Sequence, residues 1–305
     1  EGIINKQNNN PSTPFYALPP GREWGGGIIM LYIHWNPDLT IFHIGSFAVR
    51  WYSTCWLIGL LLSYLTVKYL YRKMKIADEK FEPLFFYCFV GILIGARLGH
   101  CLFYEPGYFL SSGTHVIEML LPIRQDPWGG WHFTGYEGLA SHGGTLGLLL
   151  AILLYCRNMR MKPWTVLDAI SLSVPFAATF IRLGNLMNSE IIGKPTDVPW
   201  AFIFERVDMQ PRHPGQLYEA IAYFCFFFVM WHLWKRRPQL LGTGFFFGLD
   251  ILLIFTARFF IEYTKEVQEA FEASLPLDMG QLLSIPFIIA GAYFTWHGWK
   301  LKDKN

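Results

Sequence analysis

"AISLSVPFAATFIRLGNLMNSEIIGKP" (169–195) changes character half-way. Up to position 181 it is apolar and free of charge. Then come Arg182, Asn185, Asn188 and Glu190 within nine positions. A helix ending in water gives such a break, and so does a polar site built where a membrane meets water. The rest of the chain separates the two readings.

The chain has 305 residues, 52% hydrophobic, 18% aromatic and only 16% charged, with a mean hydropathy of +0.27. Soluble domains carry about a quarter charged residues. This deficit points to lipid as part of the solvent. The formal net charge of +2 says little by itself, and no nucleic-acid partner is expected. The 5 cysteines lie in or beside apolar runs without a C-x-x-C or zinc-ligand spacing. They read as small core hydrophobes.

Seven apolar segments are long enough, or nearly so, to cross a bilayer: 48–69, 84–104, 142–157, 164–184, 215–234, 241–262 and 280–298. The expected fold is therefore an all-α membrane protein, a seven-helix transmembrane bundle forming one domain over 30–305. Its two largest connections are 105–141 and 185–214. Residues 1–29 lack an apolar h-region and read as a flexible leader or an appended remnant. Of the 25 Lys and Arg residues, fourteen fall in alternate links and the C-terminal tail, and seven on the opposite side. The positive-inside rule then places the N-terminus outside and the C-terminus in the cytoplasm. Gly91, Gly95 and Gly99, like Gly143 and Gly147, recur at i+4 and suit close helix packing in lipid. Pro175 predicts a kink in the fourth span.

Arg50, Arg97, Arg182 and Arg258 lie in or at the ends of apolar spans. An Arg at a helix centre costs roughly 2.5–3.5 kcal/mol on insertion scales. In the expected topology Tyr52, Arg97, His142, Arg182 with Asn185, "RHPGQLYE" (212–219) and Arg258 with Glu262 all fall toward the outer face. Independent snorkelling scatters such residues over both faces, so the shared depth favours one polar site. Arg258 and Glu262, four apart, share a helix face and are expected to pair. Arg182 and Arg258 read as a clamp for an anionic headgroup, because a guanidinium stays charged and forks onto phosphate. His142 is the candidate general base. Gly143 and Gly144 beside it leave room for substrate near the backbone. Asn188 and Glu190 read as groups that fix the geometry of Arg182 and the substrate, and Gly193 as a tight turn back over the site.

With these residues in view, "RLGNLMNSEIIG" (182–193) resembles the signature of the prolipoprotein diacylglyceryl transferase family. "RWY" (50–52), "GARLGHCLFY" (95–104), "SHGGTLG" (141–147), "RHPGQLYE" (212–219), "RFFIE" (258–262) and "DMGQLLSIP" (278–286) are similar to the family's blocks in the same order. The resemblance implies seven spans in the bacterial inner membrane. It implies transfer of diacylglyceryl from phosphatidylglycerol to the lipobox Cys thiol of a preprolipoprotein signal peptide, with glycerol-1-phosphate leaving and a thioether forming. By position, His142 resembles the essential His, Arg182, Asn185 and Gly193 the critical signature residues, and Tyr52, Arg258 and Glu262 further functional positions. Glu219 closes the "RHPGQLYE" block. Many members carry a Tyr where this chain has Ile254, so Tyr263 or another residue must supply any hydroxyl needed. "DPWGGWHFTGYEG" (126–138) also departs from the pattern.

The chemistry agrees with this reading. The substrate brings its own nucleophile, a thiol of pKa about 8.5 that reacts as thiolate. The enzyme must supply a base and cations for the leaving phosphate. No metal or other cofactor is expected. An anionic-lipid transporter or flippase with an Arg-lined headgroup site is the alternative. The internal repeats and midplane site of transporters are not visible, and H-E-x-x-H and G-x-S-x-G protease motifs are absent.

Overall fold

The computed structural model describes residues 32–45, 47–121, 123–126, 128–133, 138, 140–266 and 277–301. The expected leader, 1–29, lies outside them. Ten helices dominate: α1 (Trp51–Lys73), α2 (Asp78–Phe103), α3 (Pro106–Phe109), α4 (Gly113–Leu120), α5 (Ser141–Asn158), α6 (Pro163–Ser171), α7 (Val174–Asn188), α8 (Gly215–Arg236), α9 (Phe245–Glu262) and α10 (Met279–Leu301).

Each apolar segment expected to span is helical over most of its length. Four helices, α1, α2, α8 and α10, are long and apolar enough to cross a membrane, and the bent pair α6–α7 makes up to five. The shortfall from seven lies in α5 and α9, each 18 residues long. The first begins and ends on polar residues, and the second carries Asp250, Arg258 and Glu262.

The fourth segment is broken and bent by 40°. Pro175 sits in the first turn of α7, where its missing N–H costs nothing. The carbonyl of Ser173, in the break, accepts from the Ser63 hydroxyl of α1 at 3.3 Å. Beyond the break, Asp168 of α6 is fully buried and collects the N–H groups that precede and open α9: Gly242 at 2.7 Å, Thr243 at 3.0 Å, Gly244 at 2.9 Å and Phe247 at 2.9 Å. Gly242 and Gly244 adopt φ of +90° and +85°, which a side chain would strain. A charged cap on four orphan donors sets where α9 starts. The main hydrophobic core, with Leu70, Tyr71, Tyr155, Leu172, Met230 and Phe246, lies at this end of the bundle.

The all-α expectation needs correction outside the helices. Short strands occupy the links: β1 (Ile33–Trp35), β2 (Thr40–Ile44), β3 (Phe47–Arg50), β4 (Ile123–Gln125), β5 (Trp131–Phe133), β6 (Phe202–Phe204) and β7 (Pro211–Arg212). They form a three-stranded sheet in the order β1-β6-β7 and two hairpins, β2–β3 and β4–β5. The sheet covers the end of α7: Trp35 donates its indole N–H to the Leu186 carbonyl at 2.8 Å, and Leu186 packs with Phe202 and Phe204.

The glycine seam forms as expected between α2 and α5. A Cβ at Gly95 would stand 2.4 Å from the Gly143 carbonyl oxygen, and one at Gly147 would stand 2.1 Å from that of Gly91. Gly143 and Gly144 are buried against α2, where their lack of a side chain serves helix packing. Gly95→Ala is expected to lower stability by roughly 1–3 kcal/mol through overpacking. Gly144→Ala, whose methyl would meet Ala96 at 3.5 Å, should leave it unchanged or slightly raised. Thermal unfolding midpoints in detergent compare the two, and an equal loss in both would contradict the seam.

Candidate active site

The signature folds as a reversal at the end of α7. Ser189 and Ile191 take left-handed φ of 56° and 55°. The turn closes with the Glu190 N–H on the Asn185 carbonyl at 3.0 Å. Glu190 then accepts from the Asn185 amide at 2.8 Å and from the Asn188 amide at 3.0 Å. Asn185 in turn accepts from Arg182 Nη1 at 3.3 Å. The expectation that these neighbours orient Arg182 therefore has a physical form: a relay from guanidinium to amide to carboxylate.

Gly193 does not make the turn. Its N–H donates to the His213 carbonyl at 2.9 Å, and the next residue, Lys194, donates to the Thr264 carbonyl at 2.8 Å. A Cβ at Gly193 would stand 2.5 Å from the His213 carbonyl oxygen and 2.6 Å from that of Thr264. The glycine is needed for close backbone approach, and the reversal falls to Ser189 and Ile191. Arg212, buried beside it, donates to the Gly193 carbonyl at 3.2 Å and to Glu266 at 3.1 Å. Its hydrogen bonds to Asp208 hold that carboxyl below the usual range, against burial, which pushes it up. A lowered carboxyl pKa stabilises the fold above the ordinary Asp value of about 3.9. That contribution is lost as the pH falls through the depressed value.

Glu219, on α8, ties the site together. It is 0% exposed, and its two oxygens face two cations: Arg182 Nε at 2.7 Å and Lys265 Nζ at 2.9 Å. The Arg182 contact is ionic, without the alignment of a hydrogen bond. Lys265, itself 4% exposed, also binds Glu262 at 3.0 Å. Gly280 of α10 makes room for this carboxylate, because a Cβ there would lie 2.5 Å from its carbon.

The expected Arg258–Glu262 pair does not form. Glu262 turns to Lys265, which lies one turn further on. Among the described residues Arg258 makes no hydrogen bond or ion pair, so all five N–H donors of its guanidinium remain open. Arg182 and Arg258 nevertheless share a neighbourhood, since both act electrostatically on the buried Tyr223 phenol of α8. That phenol, and not the exposed Tyr263, stands by the arginines in a chain with Ile254. The Tyr52 ring packs on α7 at Gly184, where a Cβ would be 3.0 Å away.

Two expected members are not bonded into this network. Arg97 is buried, donates to the Glu118 carbonyl at 2.8 Å and stands 5.0 Å over the Phe109 ring. It fastens α4 to α2. His142, the second residue of α5, is exposed and has no hydrogen bond or ion pair to the arginine cluster among the described residues. No group of three His, Cys, Asp or Glu side chains among the described residues is placed to hold a metal.

Lys265 was not legible as a site residue, because it follows the apolar span and reads as an ordinary loop cation. Replacing it with Met should destabilise the protein by roughly 3–5 kcal/mol, since the buried Glu219 and the part-buried Glu262 lose a shared counter-ion. Lys265→Arg should retain most of that. Thermal midpoints of the two variants decide the matter, and an unchanged midpoint for the Met variant would rule out a structural ion network.

Comparisons with known proteins identify the family. Residues 39–297 match the sequence profile of the family described as Prolipoprotein diacylglyceryl transferase. A Bacteroides fragilis protein named phosphatidylglycerol–prolipoprotein diacylglyceryl transferase is 59% identical over 275 residues, covering 90% of this chain and 98% of its own. Proteins of the same name from Tolumonas auensis (43% identical; 85% of this chain, 95% of its own) and Chloroherpeton thalassium (42%; 88% and 95%) align over similar lengths. The chain belongs to the prolipoprotein diacylglyceryl transferase family.

Proposed function

We propose that this chain transfers the diacylglyceryl group of phosphatidylglycerol to the lipobox cysteine of preprolipoproteins, the first step of bacterial lipoprotein maturation. The observation that carries the site assignment is Arg258, which among the described residues has no hydrogen bond or ion pair and shares the neighbourhood of Tyr223 with an Arg182 already braced by Asn185 and Glu219. A polar cluster with one guanidinium fixed and another with open donors suits a phosphodiester: the fixed group orients, and the open one forks onto the phosphate oxygens.

In the reaction the cysteine sulfur attacks the glycerol carbon bound to phosphate. A C–S bond forms, the C–O bond breaks, and the electron pair leaves on glycerol-1-phosphate. The thiol proton goes to His142, the assigned base. Charge builds on the departing phosphate, and Arg182 and Arg258 stabilise it. Asn185, Asn188 and Glu190 hold Arg182. Glu219 and Glu262, with Lys265, keep the cations spaced. Tyr52 backs the α7 turn and Gly193 lets the loop close. No metal enters these steps.

The family membership and the distribution of basic residues support seven spans in the bacterial inner membrane. In that arrangement the N-terminus is outside, the C-terminus is cytoplasmic, and the arginines lie at the outer-leaflet level, where a lipobox cysteine emerges. The hydropathy of α5 and α9 is lowered by the polar residues this site requires.

Purified protein, phosphatidylglycerol and a lipobox peptide are the test, with mass spectrometry of the peptide thiol. Diacylglyceryl addition is expected. Arg182→Ala should lower the rate at least about 100-fold, in line with loss of one donor to a developing charge, while the protein remains folded. His142→Gln should stop transfer at neutral pH, with recovery at high pH where the thiol ionises unaided. Undiminished transfer by either variant at neutral pH would remove that residue from the mechanism.

A further inference from the structure

The β4–β5 hairpin has two chemically distinct faces. Its register pairs Ile123 with Phe133, Arg124 with His132 and Gln125 with Trp131. Directly opposed residues share a face. Ile123, Gln125, Trp131 and Phe133 thus lie on one side, and Arg124 and His132 on the other. The polar side has partners in the protein although both residues keep contact with solvent. Arg124 lines a cavity of about 190 Å³ with Arg97, His100 and Glu118, and stands 5.8 Å over the Tyr108 ring. His132 contacts Asp126 at 2.8 Å.

On the apolar side Ile123 is half-buried and lines the same cavity, but the aromatic residues are bare. Phe133 is 77% exposed, Trp131 44%, and Trp128, in the connecting turn, 96%. Ile117 on α4 extends this surface. The face cannot swing inward, because the arm is latched. Glu118 is buried and accepts from the Gln125 N–H at 2.9 Å and the Tyr108 hydroxyl at 2.7 Å, while Arg97 holds its carbonyl. A large aromatic surface fixed outward is a liability in water and marks an interaction site.

We propose that α4 and the β4–β5 hairpin form an interfacial anchor whose partner is lipid. Trp128, Trp131 and Phe133 sink into the headgroup–acyl boundary of the leaflet at the C-terminal end of α2. Two observations select lipid over a protein partner. First, the apolar face continues the lipid boundary of α2, a helix long and apolar enough to cross a membrane, whose last residue Phe103 and the following Tyr104 are 77% and 65% exposed. Second, the aromatic residues are backed by an exposed Arg124. This is the combination of aromatic rings at the boundary and a cation at the anionic headgroups that interfaces favour. The anchor also fixes a depth. Ala140 donates its N–H to the Ala96 carbonyl at 2.9 Å, so the start of α5, with His142, is tied to the same end of α2. An anchored arm holds that end at the level of the headgroups.

The experiment uses the full chain in nanodiscs containing phosphatidylglycerol, with acyl chains brominated high, low or not at all. The emission lost in Trp128→Phe and in Trp131→Phe isolates each indole. Both signals should be quenched roughly two-fold by bromine near the headgroup, less by deep bromine, and hardly by aqueous iodide, as an element buried about 5–10 Å into the interface requires. Quenching by iodide without quenching by bromolipid would place the arm in water and overturn the proposal. Protection that appears only with added lipobox peptide, or that grows with protein concentration, would also overturn it, assigning the face to the peptide or to a second copy. No turnover is measured, so failure of the anchor and failure of the transferase reading are distinguishable.

Discussion

A carboxylate with no access to solvent needs partners, and Glu219 has two cations. Arg182 reaches it from α7 and Lys265 from beyond α9, while Glu219 itself stands on α8. Removing either cation leaves an expensive buried charge. The network therefore joins three helices through one side chain. Everything else in the site is measured from it. The signature reversal orients Arg182 along its other edge, the "RHPGQLYE" block delivers Glu219, and Glu262 shares its lysine. A polar assembly of this kind adds little net stability over an apolar one. What it supplies is a unique arrangement, with one guanidinium braced and one open.

The helices were legible because apolar runs of membrane length admit few alternatives. The polar site was legible because each intramembrane Arg is costly, so a shared depth carries information. What could not be read follows from the same physics. Strands of two to five residues are too short to establish a period-two pattern, so they were read as links or, for the end of β3, as the start of the first span. The Arg258–Glu262 spacing predicted a pair by helix geometry alone. The competing partner, Lys265, comes from a turn whose path no periodicity encodes. Asp168 looked like one acid in an apolar stretch, and only the fold shows that its oxygens meet four backbone N–H groups. The glycines divide in the same way. Those spaced by four could be read as a seam. The purpose of Gly193 depends on His213 and Thr264, residues far along the chain.

The two halves of the polar chemistry rest on different supports. The arginines stand on α7 and α9, braced by carboxylates and amides. His142 stands on α5, whose neighbour is α2, and the contact there is glycine against glycine. The first support is directional and sensitive to charge. The second is steric and indifferent to it. Changes in charge near the arginines therefore alter one set of distances and leave the other intact.

The glycine seam has a mechanical consequence. Where two helix backbones touch, sliding by a fraction of a residue drives carbonyl into Cα, so α2 and α5 must move as a single strut. A bulky lipid or a peptide entering from the side of the bundle cannot part these two helices. Its doorway has to open along a boundary built from side chains, which can change rotamer and then return.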